Sequence, residues 1–254
     1  MLWTEEELTK VARERLKDKL LVVACNREPY LHVIKEGKIE CMRPASGAVT
    51  AVDPVIRACG GVWVGHGSGN ADKMMVDDDG KIPVPPEDPK YILKRIWLTK
   101  EEEEGYYYGF ANKAIWPLAH IAYARPIFEK RDWEYYKLVN QYFANAILKE
   151  VEGKDAFVWV QDYHLTLVPR LLRDKRKDLI IAHFWHIPWP NSETFGICPW
   201  KKEILKGLLA NDILGFHIRY HCENFFDTVD KELESKIDRE RYSVIYKGHE
   251  TLIR

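Results

Sequence analysis

The sequence predicts an α/β fold with a mostly parallel sheet flanked by helices, and two observations carry that reading. Short apolar runs at 20–25, 61–64, 157–160, 179–184 and 213–216 alternate with longer helical stretches, the pattern of strands joined by crossover helices. The 254 residues are also 46% hydrophobic and 30% charged, enough to build a sizeable core and inconsistent with a disordered or collagen-like chain.

Taken in order, Thr4 opens a helix running to about Lys19, with Glu7 at the third helical position in capping-box spacing. The compact run 20–25 suits a strand buried on both faces. Residues 30–42 alternate in character around Glu36-Gly37 and predict a hairpin excursion. A helix is expected over 46–58, a second core strand over 61–64, a surface loop over the Asp- and Pro-rich 76–90, and a strand over 91–98. From Thr99 the chain turns helical through Glu101–Glu104 and an aromatic block. The acidic first turn complements a helix dipole and reads as structural. A long helix over 132–152, strands over 157–160 and 179–184 with a helix at 165–174 between them, a helix over 199–210, a strand over 213–216 and a helix over 220–235 complete the pattern.

Charge narrows the function. Lys+Arg 38 against Asp+Glu 39 gives a net charge of −1, which supplies no global field for nucleic acid or anionic lipid. Cys25, Cys41, Cys59, Cys198 and Cys222 are odd in number and widely spaced, which predicts reduced thiols in a cytoplasmic protein. The charged N-terminus lacks a signal peptide's apolar segment, and no run approaches the ~20 apolar residues of a membrane span.

Parallel α/β sheets bind ligands beyond the carboxyl ends of their strands, and five predicted strands end in polar groups. These are Asn26-Arg27, the run Gly65 to Gly69 containing His66, Gln161-Asp162-Tyr163-His164, Trp185-His186, and His217 with Arg219. Arg27 offers a planar fork of donors for a phosphate, and a helix starting near Ser46-Gly47 would present backbone N–H groups to an anion. Asp162 could accept hydrogen bonds from sugar hydroxyls, while Trp63, Tyr107 and Trp116 supply flat faces for sugar rings. Together they point to a sugar or polyol phosphate. Each also has a structural reading: Arg27 as a surface ion-pair residue, the tryptophans and tyrosines as core. His183 and His186 are three apart on a strand and face opposite ways, with no carboxylate or Cys completing a set, so no metal is expected.

Several blocks, in order, resemble the trehalose-6-phosphate synthase family. They are Asn26-Arg27, Ser46-Gly47-Ala48-Val49, the stretch Gly60 to Gly65, Tyr107 with Phe110-Ala111-Asn112 and Trp116-Pro117, then Val158 to Leu165, Phe184 to Pro190, and Asp212 to His217. The resemblance implies the Rossmann-like N-terminal half of a two-domain (GT-B) retaining glycosyltransferase. Such an enzyme moves glucose from a nucleotide-glucose donor to glucose 6-phosphate without a cofactor. It further implies that Arg27, Tyr107 and Trp116 grip the acceptor, that Gly47 belongs to a loop approaching the donor phosphates, that Asp162 binds the acceptor sugar, and that His186 lies at the reaction centre.

The sequence departs from the family at Ser46, where Gly-Gly is usual, at His66 in place of tryptophan, and at Gln161 in place of histidine. Trp185 and Trp189 replace a smaller aliphatic residue and a phenylalanine. These changes are expected to surround the acceptor side and open the way to another phosphorylated acceptor such as glycerol 3-phosphate. The resemblance makes 1–254 a single acceptor-binding domain with the donor-binding domain absent or on a separate chain, its uncovered apolar face favouring self-association. The alternatives are a non-catalytic sugar-phosphate-binding subunit and, more distantly, a His-based metal hydrolase.

Overall fold

The computed structural model describes residues 4–254. Two compact units share the chain: Met1–Leu98 with Asn145–Trp159, and Thr99–Ala144 with Val160–Arg254.

In the first unit, helix α1 (Glu5–Leu16) starts at the expected capping box. The Thr4 amide donates to Glu7 Oε2 at 3.0 Å and the Glu7 amide to Thr4 Oγ1 at 3.2 Å. Strand β1 (Leu20–Ala24) leads to a hairpin of β2 (Leu31–Lys35) and β3 (Lys38–Met42). Glu36 and Gly37 both take positive φ, 48° and 77°, the mark of a two-residue turn whose twist matches its strands. Helix α2 (Gly47–Cys59), expected over 46–58, is capped by Ser46 and is followed by β4 (Val62–His66). Leu21, Val23, Trp63 and Leu93 pack with Val52 and Ile56 of α2 as the core.

The stretch expected to be a surface loop contains a strand, β5 (Lys81–Val84), paired antiparallel to β6 (Tyr91–Ile96) with Pro83 opposite Ile92. The expectation failed because proline argues against a central strand; β5 is at the sheet edge, where a missing N–H costs no ladder bond. Here the strands run in the order β5-β6-β4-β1, with β1, β4 and β6 parallel. Next to β1 comes β7 (Ala156–Gln161), whose last two residues belong to the second unit.

The second unit opens with α3 (Lys100–Glu103), capped by Thr99 and Glu102 in a second capping box. The aromatic block that follows, Glu104–Ile115, winds as a π-helix, and α4 (Trp116–His120) continues it. A Cβ at Gly105 would lie 2.3 Å from the Tyr135 ring, and one at Gly109 2.3 Å from the Asp132 carboxylate. Only glycine lets this wide helix lie so close to α5 (Lys130–Glu150). Helix α6 (Val168–Arg173), strand β8 (Ile180–Phe184), helices α7 (Ser192–Phe195) and α8 (Lys201–Leu208), strand β9 (Ile213–Gly215) and helix α9 (Arg219–Glu232) follow.

Residues 236–254, left without elements by periodicity, form the antiparallel strands β10 (Lys236–Asp238), β11 (Ser243–Tyr246) and β12 (His249–Ile253). β12 pairs parallel to β9, which pairs parallel to β8. The α/β class with a mostly parallel sheet flanked by helices therefore holds. No helix among the described residues is long and apolar enough to cross a membrane.

Candidate functional site

In the second unit the ends of β7, β8 and β9 carry Asp162, His186 and His217, and Asp162 is the most constrained of them. Its backbone sits at φ 68°, ψ 174°, a region costly for any residue but glycine and kept only where surroundings over-determine it. Four contacts do so. Its amide donates to the Phe184 carbonyl at 2.7 Å, its carbonyl accepts from His183 Nε2 at 3.0 Å, and its Oδ1 accepts the amides of Tyr163 at 2.9 Å and His186 at 3.1 Å. The other carboxylate oxygen, Oδ2, lies 3.9 Å from His164 Nδ1. Burial pushes the Asp162 carboxyl up to about 6, against the two amides that favour its charged form.

Helix α5 holds the turn that follows. The Tyr136 hydroxyl donates to the Tyr163 carbonyl at 2.6 Å, and the Asn140 amide donates to the His164 carbonyl at 3.0 Å while its oxygen accepts from the Leu167 amide. Tyr136 and Asn140 are buried. Their signal in the sequence is a polar pair four apart on the apolar face of a long helix. From the π-helix, Tyr107 stacks on His164 with ring centroids 5.5 Å apart, and Asn112 Oδ1 accepts from the Tyr163 hydroxyl.

His186 is half-buried. Its Nε2 lies 2.8 Å from Gln161 Oε1, and its ring lies against Phe184 and His217, with centroids at 4.7 and 5.7 Å. Burial holds its imidazole down to about 4, with His217 acting in the same sense, and holds the fully buried His183 down to about 3. Both are neutral near pH 7. His183 therefore serves as a donor that secures the Asp162 carbonyl.

The structure thus brings Asp162, His186 and, through His164, Tyr107 into one cluster. Trp116 is half-exposed on α4 and stacks on His120, with centroids 4.1 Å apart. Trp185 and Trp189, expected near the acceptor, are fully buried instead, their indole N–H groups donating to the Pro188 carbonyl and Thr228 Oγ1. Large flat side chains next to a strand end are equally good core, and here packing claims them.

In the first unit, Arg27 is exposed between buried Asn26 and Glu28. Trp63, read as a sugar-stacking face, is fully buried and donates its indole N–H to the Arg27 carbonyl at 3.0 Å, which fixes the backbone that presents the guanidinium. Gly47 is the first residue of α2, and a Cβ there would meet no atom within 4 Å. A cavity of about 510 Å³ borders this helix, lined by Arg43, Val49, Thr50, Asp53 and Arg57. Both of its guanidinium groups are engaged by the buried Asp53, at 2.6 and 2.8 Å.

A feature not anticipated from sequence lies beside Arg27. Arg95, fully buried, meets Glu28 Oε2 at 2.7 Å and Asp72 Oδ1 at 2.9 Å. Asp72 also accepts the amides of His32 and Gly69, and Glu28 accepts that of Ser68. Burial first, and then hydrogen bonding to Asp72, pushes the Glu28 carboxyl up to about 8, with Arg95 opposing. Arg95 shares the face of β6 that buries Tyr91 and Leu93; a charge in core phase on a strand was the legible signal.

By fold the chain falls among glycosyltransferases. It superposes with a TM-score of 0.75 on an E. coli trehalose-6-phosphate structure bound with UDP-2-fluoro glucose, at 24% identity over 93% of this chain and 48% of that one. A Burkholderia xenovorans UDP-forming α,α-trehalose-phosphate synthase in complex with glucose-6-phosphate gives 0.73 at 25% identity, again over 93% and 48%. Residues 18–254 match the model of glycosyltransferase family 20, and the chain belongs to that family. Among curated relatives, a trehalose-6-phosphate synthase of Mycolicibacterium vanbaalenii is 40% identical over 205 residues, covering 80% of this chain and 41% of the relative. One of Mycobacterium sp. (strain KMS) is 37% identical over 209 residues, covering 82% and 41%. The chain thus spans less than half the length of these relatives.

Proposed function

We propose that this chain carries the acceptor-binding half of a retaining glucosyl transfer to glucose 6-phosphate from a nucleotide-glucose donor, the donor being held by protein outside these 254 residues. The observation that supports it most directly is Asp162, a strained, over-tied residue with one carboxylate oxygen spent on backbone amides and the other directed towards His164 beneath Tyr107. In this reading Oδ2 accepts a hydroxyl of the acceptor sugar, and Arg27, Tyr107 and Trp116 take its phosphate end. Gly47 belongs to the loop near the donor phosphates, and His186 lies beside the transferred glucose.

The chemistry follows from what the residues offer. A neutral His186 bonds hydroxyls without adding charge near a developing oxocarbenium ion. The bond from the anomeric carbon to the donor phosphate breaks as the acceptor oxygen bonds to the same face, and the acceptor's proton passes to the departing phosphate oxygen.

Calorimetric titration with glucose 6-phosphate, glycerol 3-phosphate and UDP-glucose tests this reading. Binding of glucose 6-phosphate, lost in Asp162→Ala, is the expected result. Preference for glycerol 3-phosphate would change the acceptor, and no phosphorylated acceptor binding at all would overturn the proposal. Acceptor binding with no turnover when the donor-binding portion of a relative is supplied would favour the sugar-phosphate-binding subunit.

A further inference from the structure

Gln161 immediately precedes Asp162 and is completely buried. Its Oε1 lies 2.8 Å from His186 Nε2, while its Nε2 is buried with no hydrogen-bond partner among the described residues. An orphaned buried donor costs about 1–3 kcal/mol, a cost that leucine of nearly the same size would avoid. The amide is oriented so that only its oxygen is used, and an amide oxygen can only accept. His186 Nε2 must therefore carry the proton. A neutral imidazole has one, so Nδ1 is left as an acceptor. Nδ1 makes no hydrogen bond among the described residues, and the ring lies against Phe184 and His217, which also touch each other, while the His186 amide is tied to Asp162.

We propose that Gln161 is a positioning residue that sets the tautomer of His186, keeping the proton on Nε2 and offering Nδ1 as the acceptor for a sugar hydroxyl. The use of Nδ1 rests on the transfer reading above; the tautomer itself does not. Turning the Gln161 amide over would reverse the outcome, since its NH2 would then donate to Nε2 and force the proton onto Nδ1. The proposal is thus a statement about one hydrogen atom. A side chain that cannot titrate keeps the tautomer constant.

The test is long-range ¹H–¹⁵N correlation of the histidine rings in the ¹⁵N-labelled chain at neutral pH, with the His186 signals identified by their absence from His186→Gln. The expected spectrum shows His186 with a protonated Nε2 and an unprotonated Nδ1. In Gln161→Leu and in Gln161→Met, both of which remove the acceptor, it becomes an average of the two tautomers. A protonated Nδ1 in the unaltered chain, or an unchanged spectrum in Gln161→Leu, overturns the proposal. Should one variant fail to fold, the unaltered chain and the other variant still decide.

Saturating glucose 6-phosphate and UDP-glucose are then added separately. A shift of the Nδ1 signal with either one, and affinity about three- to tenfold weaker in Gln161→Leu, is expected from the loss of one oriented hydrogen bond. If neither ligand binds, the transfer reading fails while the ligand-free spectra still decide the tautomer. If a ligand binds without moving Nδ1, the acceptor role of Nδ1 falls.

Discussion

The two units each bury a knot of polar groups at the ends of parallel strands, and they treat it in opposite ways. In the first, Arg95 faces Glu28 and Asp72, and the surrounding amides of His32, Ser68 and Gly69 take up the carboxylate oxygens. With Glu28 held protonated, one guanidinium and one carboxylate remain, and the cluster is neutral and self-contained. In the second, His183 and His186 are kept neutral by burial rather than by opposite charges, burial raises the Asp162 carboxyl only to about 6, and Asp162 Oδ2 and His186 Nδ1 are left over among the described residues. The contrast separates a structural anchor from a site: an anchor consumes its own hydrogen-bonding capacity, whereas a site holds some in reserve in a fixed direction.

The sharpest way to break this comparison is Arg95→Met. Removing one partner from a fully buried ion-pair cluster strands the remaining charge and costs about 3–5 kcal/mol. Denaturant unfolding should show that loss, whereas Gln161→Leu should change stability by far less. A loss under about 1 kcal/mol for Arg95→Met would mean that the first cluster is not an anchor.

Next in size is Arg27→Ala. Arg27 is exposed, so its removal should leave stability within about 0.5 kcal/mol. Loss of a charge-assisted phosphate contact should weaken glucose 6-phosphate binding by about 1.5–3 kcal/mol. Unchanged affinity in the titration would remove Arg27 from the acceptor site and leave it a surface residue.

The smallest effect is a pH profile, set by both clusters at once. His183, His186 and His66 are held down to about 3, 4 and 4, below the unfolded value of about 6.5. Between pH 4.5 and 6.5 the unfolded chain therefore binds more protons at these three sites, and stability rises with pH. Glu28, held up to about 8, and Asp162, up to about 6, keep protons that the unfolded chain has lost. They lower stability as pH rises, Asp162 up to about 6 and Glu28 up to about 8. Three histidines outweigh two carboxyls on the acid side, and above pH 6.5 their contribution fades while that of Glu28 persists. Stability measured by thermal or denaturant unfolding should peak near pH 6.5. Above that it should fall by at most about 1.4 kcal/mol per pH unit, a decline that Glu28→Gln should flatten. A rising alkaline limb would mean that Glu28 is ionised beside Arg95.

Much of this architecture could be read locally. Capping boxes at Thr4 and Thr99, the Glu36-Gly37 turn, the Ser46 cap and the apolar strand runs depend on interactions within a few residues, so the sequence displays them. The positions of Arg27, Asp162 and His186 were legible because strand ends follow from strand limits. Residues whose part depends on distant partners were not. Trp63 looked like a ligand face because an aromatic ring has the same composition in a pocket and in a core; only the neighbours that bury it decide. Pro83 concealed β5 because its acceptability depends on the strand being at an edge.

By itself, then, the sequence determined the class of fold, the order of its elements and the residue types delivered to the strand ends, since these follow from periodicity, capping and turn chemistry over short spans. Only tertiary structure decided that Asp162 is held at φ 68° by His183, Tyr163, His186 and Phe184, that Gln161 turns its oxygen to His186, and that Arg95 closes on Glu28 and Asp72. Apart from the neighbouring Tyr163 amide, each of those contacts joins residues more than 20 positions apart, where protonation, orientation and strain are set by burial and by partners that no local pattern encodes.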